Sequence, residues 1–422
     1  MEKIVKLPNG STLLYNGTDS TRSVAIGIYV GCGADYESEK QSGISHFIEH
    51  MLFKGTEKRT AFDIAREAES LGVQMNAFTA RQMTSFYTVS TYEHAEDCME
   101  ILSDIFFRST FPEEEAEREK GVVIEEIHRS LDDPDDVCFD ALSTALYGNT
   151  AKGRPILGTT ENVRSFKPAE LREYMKLHYG ARNTVISVAG KIEYERAAGL
   201  AEKYFDSLFT NVRECATMEK VAPVYGYVGV EKQIEQAVIA MAFPGYAYSD
   251  RRAVPLKIAS NILGGGMSSR LFQSVRERKG LAYDVYSLPG AAKDDGVLEI
   301  YLGTNPESVR EAVQTVAEEI SGMKRGVTEE ELRKAKEQLK TGTVLGSESA
   351  TALMRAAGRA YVLSGQTYDV DKVLTEIEAV TLSDVTEVIE ETFDFDKVAA
   401  SFVAKDASVN VRELLLASEE EL

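Results

Sequence analysis

The chain has 422 residues, of which 43% are hydrophobic and 27% charged, and its formal net charge is −21. This length exceeds what one hydrophobic core supports, so it predicts two or more domains of a globular protein. No apolar run approaches the roughly 20 residues that span a bilayer. The negative charge disfavours nucleic acid as a partner. It suits basic peptides as well as simple solubility, and composition does not choose between the two.

Residues 1–16 are typical of a β-hairpin, because two short alternating runs flank the turn at Pro8-Asn9-Gly10. They lack the charged start and apolar core of a secretory signal, so we expect a cytoplasmic protein. The cysteines are widely spaced and form no CxxC pair, which argues against disulfides or a thiolate metal site. We expect all four to be reduced: Cys32, Cys98, Cys138 and Cys215.

Two stretches of the chain follow the same plan. Residues 73–92 predict two alternating strands, followed by a helix and then by an acidic helix after Pro112. Residues 281–304 predict two strands again, followed by a helix and then by a charged helix. Aligning Glu113–Glu115 with Glu329–Glu331 gives an offset of 216 residues, about half of the chain.

This duplication predicts an α+β fold with two homologous α/β sandwich domains, each an antiparallel-rich sheet packed with helices. We place the boundary in the polar stretch near residues 207–226. The predicted domains are therefore residues 1–212 and 213–422.

The segment GISHFIEHMLFKGT contains His46-x-x-Glu49-His50. On a helix, positions i and i+4 share a face, so both imidazoles can reach one metal ion. Glu49 projects beside that face, where it can take a proton from a water that the metal activates. The surrounding residues are apolar, which predicts a buried helix. The alternative is a pair of core histidines hydrogen-bonded to their neighbours.

A catalytic zinc site needs a third protein ligand and an open position. The acidic helix after Pro112 has Glu119 and Glu126 two turns apart on one face, and we expect Val122 and Val123 on that inward face as well. A solvated acidic helix is the alternative. From the residues alone, no single carboxylate of this helix can be chosen as the ligand.

The stretch GADYESEKQSGISHFIEHMLFKGT, the NAFTAR run and REKGVVIEE resemble the pitrilysin-type zinc peptidases, nearest to the mitochondrial-processing-peptidase and bacterial processing-protease group. The resemblance covers essentially the whole chain. It implies that His46 and His50 are zinc ligands, that Glu49 is the catalytic base, and that Glu126 is the third ligand. It also implies that Glu119 orients a ligand histidine.

The resemblance also concerns substrate. Asn76-Ala77-Phe78 matches a strand that pairs with an extended peptide, whereas an ordinary edge strand is the alternative. Arg276 and Tyr283 match a pair that grips a substrate carbonyl and donates a hydrogen bond near the oxyanion. An exposed arginine and a tyrosine at a strand start are the alternatives for these two.

The second half has no HxxEH, so one chain carries one zinc site. The resemblance implies a homodimer that encloses a clam-shaped chamber, with Arg276 and Tyr283 serving the partner's zinc. The expected activity is endopeptidase cleavage of unfolded or extended peptides, with basic peptides as candidate substrates, in presequence-like processing or peptide clearance. Two alternatives are a non-catalytic partner subunit and a metal site with a purely structural role.

Overall fold

The computed structural model describes residues 2–206 and 218–420. The predicted boundary between residues 212 and 213 lies outside these residues and stays a prediction, as does the state of Cys215. Cys32, Cys98 and Cys138 are buried free thiols.

The described chain contains both strands and helices, which are interleaved along the sequence. The strands are β1 (Glu2–Lys6), β2 (Thr12–Gly17), β3 (Ser23–Val30), β4 (Gln74–Thr79), β5 (Thr84–Thr91), β6 (Thr184–Gly190), β7 (Tyr227–Glu231), β8 (Ala237–Pro244), β9 (Ala282–Ala291), β10 (Gly296–Thr304) and β11 (Ala399–Ala404). The helices are α1 (Ile44–Met51), α2 (Ala61–Ser70), α3 (Ala95–Arg108), α4 (Glu113–Asp132), α5 (Pro134–Tyr147), α6 (Thr160–Ser165), α7 (Pro168–His178), α8 (Tyr194–Ala201), α9 (Ala253–Gly264), α10 (Val309–Arg325), α11 (Glu329–Leu345), α12 (Ala350–Ser364), α13 (Val370–Ala379), α14 (Leu382–Thr392) and α15 (Val411–Glu420).

The chain divides into two compact units that are not continuous in sequence. Unit 1 consists of Met1–Ile127, Pro155–Lys220 and Val344–Val370. Unit 2 consists of the remaining three segments, His128–Arg154, Val221–Thr343 and Asp371–Leu422.

The sheet of unit 1 has six strands in the order β1-β2-β6-β3-β5-β4. The pair β2–β6 is parallel and the other four pairs are antiparallel. Helices α1 and α3 pack on one face of this sheet through residues such as Phe47, Ile105 and Phe86, all fully buried. The first two strands form the hairpin that the Pro8-Asn9-Gly10 turn predicts, with Gly10 at φ +96.

The sheet of unit 2 has five strands in the order β7-β11-β8-β10-β9. This order corresponds strand by strand to β2-β6-β3-β5-β4 of unit 1. Its single parallel pair, β7–β11, also takes the same place. The predicted α+β class with two alike sandwich domains is therefore confirmed.

Two helices are exchanged with respect to chain order. Helix α5, from the first half of the chain, packs on the sheet of unit 2, where the hydroxyl of Ser401 donates to the carbonyl of Cys138 (2.8 Å). Helix α12, from the second half, packs on β3 and β6 of unit 1, where Ser187 donates to the carbonyl of Met354 (2.9 Å). Alternating hydrophobicity does not predict such an exchange, because it reports which face of a helix is buried but not against which sheet.

Candidate active site

Helix α1, which carries the HxxEH motif, is held at its N-terminus by a buried carboxylate. Gly43, at φ +94, precedes the helix and offers no side chain as a cap. Oxygens of Glu37 accept the N–H groups of Gly43 (2.7 Å) and Ser45 (2.8 Å), and Glu37 is only 4% exposed. A negative charge on free N–H groups at a helix N-terminus is stabilising, so Glu37 fixes the start of α1 one turn before the ligands.

Helix α4 brings Glu126 to the two histidines of α1. Its Oε2 lies 3.6 Å from Nε2 of His46 and 3.3 Å from Nε2 of His50. Ligands about 2.0–2.2 Å from one tetrahedral zinc ion lie roughly 3.3–3.6 Å from each other, so this spacing fits zinc. These three side chains form a group whose ligand atoms all lie within 4.8 Å of one another. The donor set therefore fits three of the four positions of a tetrahedral zinc ion.

Glu119 binds the ring nitrogen of His50 that does not face Glu126. Its Oε1 lies 2.8 Å from Nδ1 of His50, which leaves Nε2 of that ring facing Glu126. Lys54 binds the other oxygen of Glu119 at 2.7 Å. Burial would raise the pKa of Glu119, but the hydrogen bonds from His50 and Lys54 hold it below its ordinary value. An ionised carboxylate on the remote nitrogen of a ligand histidine fixes its tautomer and makes it a better ligand.

The two histidines have opposite electrostatic environments. Burial, together with the nearby His50, lowers the pKa of His46 to about 4, so its ring is neutral and can donate a lone pair. Burial alone would lower the pKa of His50 too, but Glu119 and Glu126 raise it to about 9. The carboxylates thus favour positive charge at His50, and a proton and a metal ion compete for the same nitrogen.

Glu49 lies beside the group without belonging to it. The hydroxyl of Thr79, the last residue of β4, donates to Oε2 of Glu49 (2.6 Å). Burial raises the pKa of Glu49 although this hydrogen bond opposes the shift. A carboxylate with a raised pKa is suited to accept and return a proton.

Strand β4 forms an edge of its sheet, since β5 is its single partner among the described strands. In an antiparallel pair, alternate residues turn their N–H groups away from the partner. The N–H of Ala77 donates instead to the exposed Oδ1 of Asn76 (2.8 Å). The structure therefore places Asn76, Ala77 and Phe78 on an open strand edge. This edge ends at Thr79, which binds Glu49 of α1.

Arg276 and Tyr283 lie together in unit 2. Arg276 belongs to a wide helical turn, Phe272–Arg278, and its guanidinium lies 4.8 Å from the ring centre of Phe272 and 4.9 Å from that of Tyr283. Tyr283 is 72% exposed near the start of β9. The two side chains are adjacent, with Tyr283 exposed and Arg276 half-buried, and their role toward a substrate stays a prediction.

Known proteins are similar to this chain in sequence and in fold. Residues 12–160 match the family described as insulinase (peptidase family M16), and residues 165–339 match the peptidase M16 inactive domain. The chain is 40% identical over 393 residues to the uncharacterized zinc protease YmxG of Bacillus subtilis, covering 93% of this chain and 96% of that protein. The chain belongs to peptidase family M16.

Two further comparisons agree with this assignment. The M16 chain is 33% identical over 392 residues to the uncharacterized zinc protease SCO5738 of Streptomyces coelicolor, covering 90% of this chain and 85% of that protein. A protease from Helicobacter pylori has a crystal structure that superposes with a TM-score of 0.88 at 21% identity, over 96% of this chain and 99% of that one. This last likeness concerns the fold alone.

This M16 protein is a zinc metalloprotease. The family assignment and the convergence of His46, His50 and Glu126 agree on zinc as the cofactor. No described helix is long and apolar enough to cross a membrane. The assignment to the processing-peptidase branch stays a prediction.

One expectation about α4 is wrong. Val123 is fully buried beside Glu119, but Val122 is 50% exposed. At 100° per residue, Val123 lies 40° from Glu119 on the side that faces the core. Val122 lies 60° from Glu119 on the other side, which is enough to reach solvent. His128 is exposed and is not part of the metal group.

Sequence reasoning missed three residues that hold the site: Glu37, Lys54 and Thr79. Nothing in the residue types of Glu37 and Lys54 distinguishes them from surface charges. Thr79 was within reach, because alternation along β4 places it on the same face as Ala77.

Proposed function

We propose that this protein is an endopeptidase that cleaves unfolded or extended peptides, with Glu49 as the general base. The observation that carries the proposal is the position of Glu49. It lies beside the ligand group on α1, and its hydrogen bond to Thr79 connects it to the open edge of β4. A carboxylate at this point is close both to a peptide paired with β4 and to a water bound at the metal.

The strand edge accounts for the expected substrate. A peptide that pairs with β4 through its main chain is bound whatever its side chains, but it must be extended. The N–H of Ala77 is available to such a peptide once the side chain of Asn76 turns away. Both presequence-like processing and general peptide clearance fit this mode of binding.

The chemistry divides between the metal and the side chains. Zinc, when held by His46, His50 and Glu126, supplies a Lewis acid that polarises a carbonyl oxygen and lowers the pKa of water. Glu49 takes the proton from the attacking water and hands it to the leaving amine. Glu119 keeps His50 in the tautomer that leaves Nε2 free for the metal.

Cleavage of a quenched, arginine-containing peptide tests this function. Activity should disappear when zinc is removed by a chelator and return when zinc is added back. Fully metallated protein that cleaves no member of a varied peptide library would contradict the proposal and favour a non-catalytic partner subunit.

We also propose a homodimer in which Arg276 and Tyr283 serve the zinc site of the other chain. The two side chains are adjacent, and Tyr283 is exposed where a substrate can meet it. Arg276 then holds a substrate carbonyl, and Tyr283 donates a hydrogen bond to the developing oxyanion.

Mixing two inactive variants tests the shared site. A Tyr283→Phe chain mixed with a Glu49→Gln chain should regain activity, because one of the two sites in the hybrid then has both groups. Absence of rescue, with exchange of subunits confirmed by tagged chains, would place both groups in the site of one chain.

A further inference from the structure

The two faces of the sheet at β4 differ in chemistry. Ala77 and Thr79 point to the face that carries α1 and Glu49. Asn76 and Phe78 point to the opposite face, where Phe78 contacts the ring of Tyr29 with centroids 6.2 Å apart. Side chains of an added strand alternate in the same way, so every second residue of a bound peptide faces away from the metal.

Helix α12 covers that second face and is docked closely. A side chain at Gly358 would come within 2.3 Å of the ring of Tyr29, so the helix backbone lies directly on β3. The hydroxyl of Tyr29 donates to the sulfur of Met354 (3.3 Å). Arg355, the next residue, therefore projects from a rigid helix and not from a loop.

The guanidinium of Arg355 reaches from α12 toward the strand edge. Its carbon lies 4.7 Å from the ring centre of Tyr87 on β5 and 5.8 Å from that of Phe78 on β4. It also donates a hydrogen bond to the hydroxyl of Tyr87. Arg355 is exposed, and no carboxylate of the described residues forms an ion pair with it. Its remaining N–H groups can therefore meet a ligand.

Packing against the aromatic rings of the sheet does not by itself require a cation at the position of Arg355. Phe139 on α5 lies 216 positions before Arg355, the same offset that aligns α4 with α11. Phe139 stacks on Tyr301 of β10, with centroids 5.8 Å apart and planes at 16°. Unit 2 thus fills the corresponding position with an aromatic ring, and the arginine of unit 1 adds charge and a planar set of donors.

We propose that Arg355, Tyr87 and Phe78 form a side-chain subsite for an aspartate or glutamate of the bound peptide. The inference rests on the proposed function, since it needs a peptide strand paired with β4. A carboxylate on the face opposite Glu49 would meet the guanidinium above the Phe78 ring, which covers the aliphatic part of the side chain. The net charge of −21 favours basic peptides at long range, whereas this subsite selects an acidic residue at one position.

A charge-reversal experiment tests the subsite. Quenched peptides carry Glu, Gln or Lys in turn at each position around the cleaved bond, and kcat/KM is measured for each. For the wild-type protein we expect Glu to exceed Gln by about fivefold at one position, which corresponds to a partly exposed ion pair. Adjacent positions, whose side chains face α1, should show no such preference.

Three variants complete the test. Arg355→Gln keeps a planar side chain and should abolish the preference for Glu, and Arg355→Glu should reverse it in favour of Lys. Lys176→Glu makes the same change of charge at an exposed residue of α7 and should leave the preference intact. Thermal unfolding checks that each variant is folded.

The outcomes are distinct. Cleavage without a preference for Glu at any position overturns the subsite, and so does a preference that survives in Arg355→Glu. An equal loss in Lys176→Glu also overturns it, because a general field and not Arg355 would then be responsible. Absence of any cleavage by the metallated wild-type protein would instead contradict the proposed function, and the subsite with it.

Discussion

Helices α4 and α11 occupy corresponding places in the two units, each after a hairpin and one intervening helix. At the common offset of 216 residues, Ala335 and Gly342 of α11 stand where α4 has Glu119 and Glu126. Ala335 is buried, so the place of a buried carboxylate is taken by a methyl group that packs in the core. Helix α9, which follows β8 as α1 follows β3, contains no histidine.

Each unit has an ion pair between its acidic helix and a basic residue. Lys54 binds Glu119 of α4 at 2.7 Å, and Arg270, 216 positions later, binds Glu331 of α11 at 2.8 Å. In both units a basic residue after the first crossover helix is tied to the acidic helix. Both units therefore have such an ion pair, whereas the described residues contain one group of zinc ligands, and it lies in unit 1.

The largest expected effect separates the base from the ligands. Glu49→Gln should lower kcat by about 10²–10⁴, the usual contribution of a general base, while the zinc content stays unchanged. Peptide cleavage and elemental analysis measure the two quantities. Glu330→Gln, an exposed change on α11, is the matched control and should preserve both. Loss of zinc from the Glu49 variant would mean that Glu49 is a ligand.

The two ion pairs should respond differently to the same substitution. Glu119→Gln should weaken zinc binding by roughly 10–100-fold, as removal of a residue behind a ligand histidine usually does. Glu331→Gln breaks the ion pair with Arg270 in unit 2 and should leave zinc affinity unchanged. Competition with a chromogenic chelator measures both. An equal effect of the two variants would show that α4 and α11 act through stability alone.

The start of α1 gives a smaller effect. Glu37→Gln places an amide donor against a buried N–H group, and leaving such a group unsatisfied costs about 1–3 kcal/mol of unfolding free energy. Helix α9 begins near Asp250, whose carboxylate accepts the N–H of Arg252 (2.9 Å) at a more exposed position. Denaturant unfolding and zinc titration of the variant measure the effect.

A change at α9 should be milder than the change at α1. Asp250→Asn should destabilise the protein less than Glu37→Gln, and it should not alter zinc affinity. The exposed Glu39→Gln is a second control beside Glu37. Unchanged stability and zinc affinity in Glu37→Gln would mean that α1 is positioned by packing alone.

The smallest effect concerns pH. Burial would raise the pKa of Glu331, but hydrogen bonds from Arg270 and Thr328 lower it to about 2 from the ordinary 4.5. Since the folded pKa is the lower one, Glu331 stabilises the fold above about pH 4.5, and this contribution is lost as pH falls toward 2. The stability difference between wild type and Glu331→Gln should therefore narrow between pH 5 and pH 3 in urea unfolding. A constant difference would contradict this assignment.

Several features could be predicted because they depend on local spacing. The i, i+4 spacing of His46 and His50 sets both rings on one helix face, and the alternation of residues 73–92 and 281–304 predicts the hairpins β4–β5 and β9–β10. The two helices that follow each hairpin were also predicted, and they are α3 and α4 in the first half and α10 and α11 in the second. The exposure of Val122 was not predicted, since a 60° difference in angle on the helix decides between core and solvent.

Sequence by itself determined the metal-binding helix, the acidic helix opposite it and the repeat that joins two alike sandwiches, because helical and strand periodicities are local. Only tertiary structure decided that Glu126 faces both imidazoles while Glu119 holds His50 from behind. It also decided that α5 and α12 change places, which brings Arg355 over the edge strand β4. These pairings join residues roughly 70 to 280 positions apart, and no local period reports the contacts of such distant segments.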